Sequence, residues 1–417
     1  MPTWINDTIW WHIYPLGFTG AAIRPSNEAE RVQTPRLEQI IPWLDYLKEL
    51  GATGLSLCPI FESDTHGYDT TDFFRIDPRM GDDASFDKLV AACRERGLAL
   101  MLDGVFNHVG HTHPLFKQAL EGGPSESLFR ITRHPDGRVE YEDFEGHQRL
   151  PALNHSAEEV VQMVIDVMCH WLGRGASAWR LDAAYHVPTR FWRRVLPVVR
   201  ERFPDVWFVG EVIHGNYQRY VHKSGLDSVT QYELWKAAWS SLLDANFFEL
   251  DWCLKRHNEM LATFTPKTFI GNHDVTRVAT KIGERKAALA FVILMTVGGI
   301  PSLYYGDELL YHGDKKEGEH LDDDLRPAYP ACPSQLPARD SWMFHLLKQL
   351  TALRHRHPWL STAFTQPIVL ENRHYTYEVL GREGQKLKVT LMLDPEPRAI
   401  IEDGEHKLLD FTSPGEG

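Results

Sequence analysis

The chain has 417 residues, long enough for one large α/β barrel with an accessory domain, and its 57 acidic against 44 basic residues leave a net charge of −13. That acidic excess argues against nucleic acid or an anionic membrane as the partner and for a small neutral substrate. No apolar run approaches the ~18 residues of a membrane span, no basic-then-apolar leader opens MPTWINDTIWW, and the five cysteines lie scattered singly, so the expectation is a cytoplasmic protein with buried free thiols.

The first strand candidate is Ile9–Phe18 (IWWHIYPLGF). Residues 34–50 then place Leu37, Ile40, Ile41, Leu44, Leu47 and Leu50 at helical spacing, with Thr34 as N-cap, Pro35 as first helical residue and Gly51 as the stop. A second strand over Thr53–Ile60 leads into a polar loop, residues 61–83. A helix over Ser85–Arg96 opens on a capping serine and ends at Gly97, before a third strand, Leu98–Phe106. Parallel strands need such crossover helices. Residues 108–155 show no sustained period, carry Gly/Pro clusters and charges, and read as a small inserted subdomain.

The alternation resumes with helix Ala157–Leu172, strand Ser177–Ala184, helix Pro188–Arg202, strand Val206–Val212 and a strand near Ser228–Leu234. Helices within Lys236–Thr263, strand Lys267–Asn272, helix Thr276–Met295, strand Ile300–Tyr305 and helix Ser341–Arg356 complete the set. Eight strand candidates separated by helices predict an α/β fold, a (β/α)8 TIM barrel built from residues 1–107 and 156–357, with a doubly wound sheet as the alternative. From Pro358 the short alternating runs HYTYEVL, KLKVTLML and RAIIED predict a compact C-terminal β domain, residues 358–417.

Several strand candidates end on ionisable residues. LALMLDGVFNH carries Asp103 and His108, SAWRLDAAYH carries Arg180, Asp182 and His186, VWFVGEVIH carries Glu211, and KTFIGNHD carries His273 and Asp274. In a barrel such strand ends face one pocket, although each acid alone reads equally well as a loop cap or a surface ion pair. Four acids around one mouth repel each other, so packing gives no reason to gather them. Two carboxylates about 5 Å apart suit retaining glycoside hydrolysis: one attacks the anomeric carbon, and the other protonates the leaving oxygen and later activates water. An adjacent arginine keeps the nucleophile ionised while burial keeps the acid protonated.

These segments, in this order, resemble the motifs of the α-amylase family of glycoside hydrolases. The resemblance implies Asp182 as nucleophile, Glu211 as acid/base and Asp274 as transition-state stabiliser. It places Arg180, Asp103, His108 and His273 around the sugar, Tyr68 of Gly67–Thr70 (GYDT) beneath it with Asp69 nearby, and His186 on the leaving-group side. Gly298–Leu309 (GGIPSLYYGDEL) is similar to the eighth-strand motif. Glu211–His214 (EVIH) is similar to the cyclomaltodextrinase and neopullulanase branch, which acts on cyclic and short maltodextrins. Members of that branch dimerise through an N-terminal β domain; here the first strand candidate opens the chain, so a homodimer stays an open expectation. Ala183 after the nucleophile resembles enzymes favouring α-1,4 bonds. The segment Leu150–Asn154 departs from the family, with Ala152 where branches carry Lys or Asp.

The resemblance implies a retaining hydrolase of short or cyclic α-1,4-glucans. The rivals are a glucosyltransferase using the same covalent intermediate and, from another class, a non-catalytic barrel. No metal or other cofactor is expected. His108, His111 and His113 have ligand-like spacing for zinc but read as substrate-facing and solvated residues. Asn107 corresponds to a calcium ligand in some members, with Asp143 or Glu145 as further oxygens, so calcium is the alternative. Asp322–Asp324 with Arg326 and Pro327 follows the eighth strand and reads as a surface run that could shape the rim of the mouth.

Overall fold

Eight parallel strands form a ring in the computed structural model, which describes residues 2–316, 322–337 and 339–414. They are β1 (Trp10–Ile13), β2 (Gly54–Leu57), β3 (Ala99–Gly104), β4 (Ala178–Leu181), β5 (Trp207–Gly210), β6 (Ser228–Val229), β7 (Lys267–Phe269) and β8 (Ile300–Tyr304). Each pairs with its sequence neighbour, β8 returns to β1, and a parallel bridge between Thr230 and Lys267 joins β6 to β7. The closed ring leaves no exposed edge, and all seven connections from one strand to the next carry helices on the outside.

The strands are buried on both faces, so their sequences are near-continuous apolar runs rather than alternating ones. One face looks into the barrel. There Trp10 stacks on Trp207 (6.1 Å, 16°) among Ile5, Met101, Val209 and Ile300, closing the floor with packed side chains. The ring of Trp10 occupies the space over Gly54, where an added Cβ would lie 2.6 Å from it. Trp11 points outward into the helix layer, against Phe18 and Tyr46.

Several elements depart from the sequence reading for local reasons. The first strand stops at Ile13 because Pro15 opens a short helix, Pro15–Phe18. The helix expected over residues 34–50 is a 3-10 segment, Arg36–Trp43, followed by α-helix Leu44–Glu49: Pro42 removes an N–H and obstructs the carbonyl a turn earlier. Thr34 does not cap it; its hydroxyl donates to the Val32 carbonyl. The next helix runs Asp83–Glu95, with Asp82 rather than Ser85 as the cap, accepting from the Ser85 N–H. Ser341 does cap helix Trp342–Arg356. The helix expected at 276–295 breaks at Gly283 (φ +79°) into Val278–Ile282 and Glu284–Thr296. The sixth strand is only Ser228–Val229, because helix Tyr232–Leu243 begins almost at once.

The insert after β3 holds helix Pro114–Leu120 and two small hairpins, Ile131–Arg133 with Val139–Tyr141 and Asp143–Phe144 with His147–Pro151. A bridge between His108 and Ala152 ties its two ends together at the barrel mouth. The C-terminal unit is a five-stranded antiparallel meander: β9 (Phe364–Leu370), β10 (His374–Leu380), β11 (Lys386–Met392), β12 (Arg398–Asp403) and β13 (His406–Thr412). The sequence showed the three central strands. The edge strands β9 and β13 carry Pro367 and a mostly exposed charged run, respectively, and so lack a clean alternation. All five cysteines are free; Cys58, Cys93 and Cys253 are buried, whereas Cys169 and Cys332 are only partly so, contrary to the expectation of five buried thiols.

Candidate active site

Arg180 is the hub of the barrel mouth. Register pairs it with Asp103 on β3 and Val209 on β5, so Arg180 and Asp103 stand side by side on the inner face. Its Nη1 donates to Asp103 (2.7 Å) and to Asp182 Oδ1 (2.8 Å), and its Nη2 pairs with Glu211 Oε1 (2.7 Å). Ala183, just after Asp182, has a left-handed backbone (φ +44°) that turns its N–H onto Glu211 Oε2 at 3.0 Å. Tyr232 at the start of its helix donates to Glu211 Oε1 (3.2 Å) and accepts from Asn272 Nδ2 (3.0 Å). Glu211 is thus fixed at both oxygens.

A second group lies opposite. The Tyr68 hydroxyl donates to Asp103 Oδ2 (3.0 Å) and shares a 2.5 Å hydrogen bond with His273 Nε2, and their rings stack at 5.2 Å. Asp274 is the most open acid of the site, one third exposed, held by His273 (3.0 Å) and Arg326 (3.3 Å). Arg326 in turn spans Asp322 (3.1 Å) and the ring of Tyr14 (4.4 Å). Asp322 therefore does shape the rim, while Asp323 pairs with Arg24 and Asp324 with Lys316 away from it.

One guanidinium among three carboxylates leaves the inner cluster short of positive charge. Burial pushes the Asp103 carboxyl up to about 6 against the pull of Arg180. Burial raises Asp182 as well, opposed by Arg180 and reinforced by Glu211 and Asp103. At Asp182, the expected nucleophile, burial thus outweighs the pull of Arg180 and favours the protonated form, contrary to the expectation that the adjacent arginine keeps it ionised. Lys267, buried on β7 below these groups, is lowered to about 8 by burial and by Arg180. Burial holds His273 and His12 neutral, and His108 is lowered to about 4.

Of the residues expected from sequence, Asp103, Arg180, Asp182, Glu211, Tyr68, His273 and Asp274 converge through direct contacts. His108 stands behind Tyr68, its Nε2 donating to the Tyr68 carbonyl (3.0 Å) and its ring stacked on Phe144 (4.7 Å). Asp69 is buried on the far side of Tyr68, accepting from Thr65 (2.5 Å) rather than joining the cluster. His186 lies on the outer wall, paired with Glu145 (2.9 Å). Tyr232, Asn272, Lys267 and His12 were not read as site residues. They lie within or just past apolar strand segments, and their inward direction is set by barrel register.

The insert residues weighed as metal ligands do not converge. Asn107 donates to the His108 ring, Asp143 accepts from Gly146, and Glu145 holds Tyr185 and His186. His113 caps Leu115. These contacts do not fit a calcium or zinc site in the insert. An open cavity of about 350 Å³ flanks Asp274, lined by Ile213, Tyr232, Trp235, Trp239 and Val275.

The sequence profile of the family described as "Alpha amylase, catalytic domain" matches residues 26–363. A cyclomaltodextrinase of Geobacillus thermopakistaniensis (strain MAS1) is 33% identical over 387 residues, covering 85% of this chain and 63% of that protein. An intracellular maltogenic amylase of Bacillus subtilis (strain 168) is 28% identical over 341 residues, covering 75% and 57%. The chain thus spans less than two thirds of the length of these curated relatives. The solved cyclic α-maltosyl-(1→6)-maltose hydrolase of Arthrobacter globiformis superposes with a TM-score of 0.80 at 26% identity, covering 94% of this chain and 92% of that one. The profile match and the strand-end carboxylates lead to one conclusion: the chain belongs to the α-amylase family, as a bearer of its catalytic domain.

Proposed function

We propose that the protein is a retaining glycoside hydrolase that cleaves α-1,4-glucosidic bonds of short linear or cyclic malto-oligosaccharides. The observation that carries this reading is the single guanidinium of Arg180 holding Asp182 and Glu211 at once, at 2.8 and 2.7 Å. Sharing one guanidinium keeps the two carboxyl groups close. That supports the roughly 5 Å spacing of direct nucleophilic attack over the 6.5–9.5 Å that accommodates an intervening water.

Asp182 attacks the anomeric carbon as Glu211 gives its proton to the glycosidic oxygen, so the C–O bond breaks and a glycosyl ester forms. Glu211, now a carboxylate, takes a proton from water as the oxygen of that water displaces Asp182. Asp274 and His273 hold the ring hydroxyls in the distorted sugar, and Tyr68 supports its face. The names of the relatives, cyclomaltodextrinase and maltogenic amylase, support the substrate class. The name of the second also supports a cytoplasmic location, and no helix among the described residues is long and apolar enough to cross a membrane.

The aromatic cavity beside Asp274 favours a second reading, transfer of the glucosyl unit to a bound sugar hydroxyl, because apolar walls can seat an acceptor and exclude water. Product analysis on maltotetraose, cyclodextrins, isomaltose and soluble starch, with the anomer read early by NMR, separates the two. Release of α-maltose or α-glucose is expected; lengthened products would make it a transferase, and β-products would overturn retention. Asp182→Asn should lower turnover by roughly 10³-fold or more with the fold intact. Activity within tenfold of wild type would remove Asp182 from its role.

A further inference from the structure

Directly beneath the sugar platform, His273 of the proposed hydrolytic site meets two residues that the chemistry does not use. His12 on β1, Cys58 just past β2 and His273 past β7 bring one ligand atom each to within 4.8 Å of one another, all buried. Among the described residues no other group of His, Cys, Asp and Glu side chains reaches this spacing. His12 Nε2 and Cys58 Sγ are 3.1 Å apart, and the rings of His12 and His273 meet edge to face at 5.3 Å.

The ring nitrogen of His273 that is free to ligate follows from its hydrogen bonds. His273 Nε2 faces two oxygen acceptors, Asp274 and the Tyr68 hydroxyl, whose own proton goes to Asp103; Nε2 therefore carries the ring proton. Nδ1 is left with a lone pair, buried and without a hydrogen-bond partner. A buried acceptor with no donor is costly, and a cation would satisfy it. Both imidazoles are held neutral by burial, the form that ligates.

We propose that His12, Cys58 and His273 form a binding site for one thiophilic cation of the zinc class, whose occupation switches off the site above it. Zinc bonds of about 2.0–2.1 Å to nitrogen and about 2.3 Å to sulfur set ligand atoms roughly 3.5 Å apart in a tetrahedron. His12 and Cys58 open slightly to reach that spacing, and His273 closes toward them. As the Cys58 sulfur bonds the metal its proton leaves to solvent, so binding weakens as pH falls. The carboxylates of Asp103, Asp182 and Glu211 offset the added positive charge beside Arg180 and Lys267. Drawing His273 downward separates it from Tyr68 and Asp274, and displacements of about 1 Å at a reacting centre cost on the order of 10²-fold in rate.

The site itself does not depend on the proposed hydrolysis; only the inhibition does. The test titrates the purified chain with Zn²⁺ and, as a spectroscopic probe, Co²⁺, following maltodextrin turnover and the sulfur-to-cobalt charge-transfer band in parallel. Expected are one ion per chain, a thiolate band, and at least about a tenfold, chelator-reversible loss of rate. Cys58→Ser should abolish the band and shift the inhibitory zinc concentration upward by about tenfold or more relative to its own metal-free rate. His12→Gln should weaken both, and serves if Cys58→Ser fails to fold. A band with no turnover of any substrate keeps the site and sinks the hydrolase reading. Inhibition without a band, or a band that survives in both variants, places the ion elsewhere and overturns the proposal.

Discussion

Arg180 and Glu308 show how single buried ions are used in this barrel. Arg180 pairs with three carboxylates at once, more negative charge than one guanidinium balances. Glu308 has no such partner. It accepts from Tyr46 (3.2 Å), Tyr329 (2.9 Å) and the Gly306 N–H (2.9 Å), and burial raises it to about 7 from 4.5. The folded state then binds this proton more tightly than the unfolded chain, so the contribution of Glu308 to stability falls as pH rises from about 4.5 to about 7. Denaturant midpoints of wild type and Glu308→Gln at pH 5 and 7.5 should show wild type losing ground to the variant at the higher pH, by an amount on the order of a few kcal/mol. A difference independent of pH would mean that Glu308 stays in one protonation state throughout.

Among the elements, the hairpin Asp143–Phe144 to His147–Pro151 joins the insert to the mouth. Its two-residue turn has left-handed φ at both Glu145 (+53°) and Gly146 (+84°), the geometry that favours Asn-Gly. Glu145 is thus a poor turn former, and its carboxylate receives the Tyr185 hydroxyl (3.1 Å) and meets His186 (2.9 Å). A side chain kept against local preference points to a role in placing the wall. Glu145→Asn should leave the melting temperature unchanged or slightly raised. It should also raise KM for maltotetraose by roughly threefold to tenfold with kcat nearly constant, as expected for about 1 kcal/mol of lost ground-state positioning. An unchanged KM would take His186 off the substrate path.

At the scale of the molecule, the barrel and the C-terminal sheet share one contiguous core. Tyr375, Tyr377, Val389 and Ile401 of the sheet belong to the same buried cluster as Leu289, Leu303 and Leu350 of the barrel side. Hydrogen bonds from the Tyr375 hydroxyl to Asp251 (3.0 Å) and between Tyr377 and Thr296 (2.7 Å) fasten the joint. Calorimetry should therefore record a single unfolding transition, with calorimetric and van't Hoff enthalpies in agreement. Two resolved transitions would show that the sheet is an independent unit.

The strand-and-helix alternation, the insert and the carboxylates at strand ends were legible in the chain, because apolar runs, Gly stops and helical spacing are local signals. So were the convergent acids, since barrel closure sends every strand end to one mouth. Contacts between distant segments were not. The fully buried strands alternate in direction without alternating in polarity, so nothing in the sequence said that His12 and Lys267 face inward, toward His273 and Arg180. Asp69 and His108 were placed behind Tyr68, Asp69 by its contact with Thr65 and His108 by the Tyr68 carbonyl and the Phe144 ring. Tyr232 reached Glu211 only because β6 is two residues long and its helix starts early. Direction across a barrel is a property of register and closure, and both are decided by the whole ring at once.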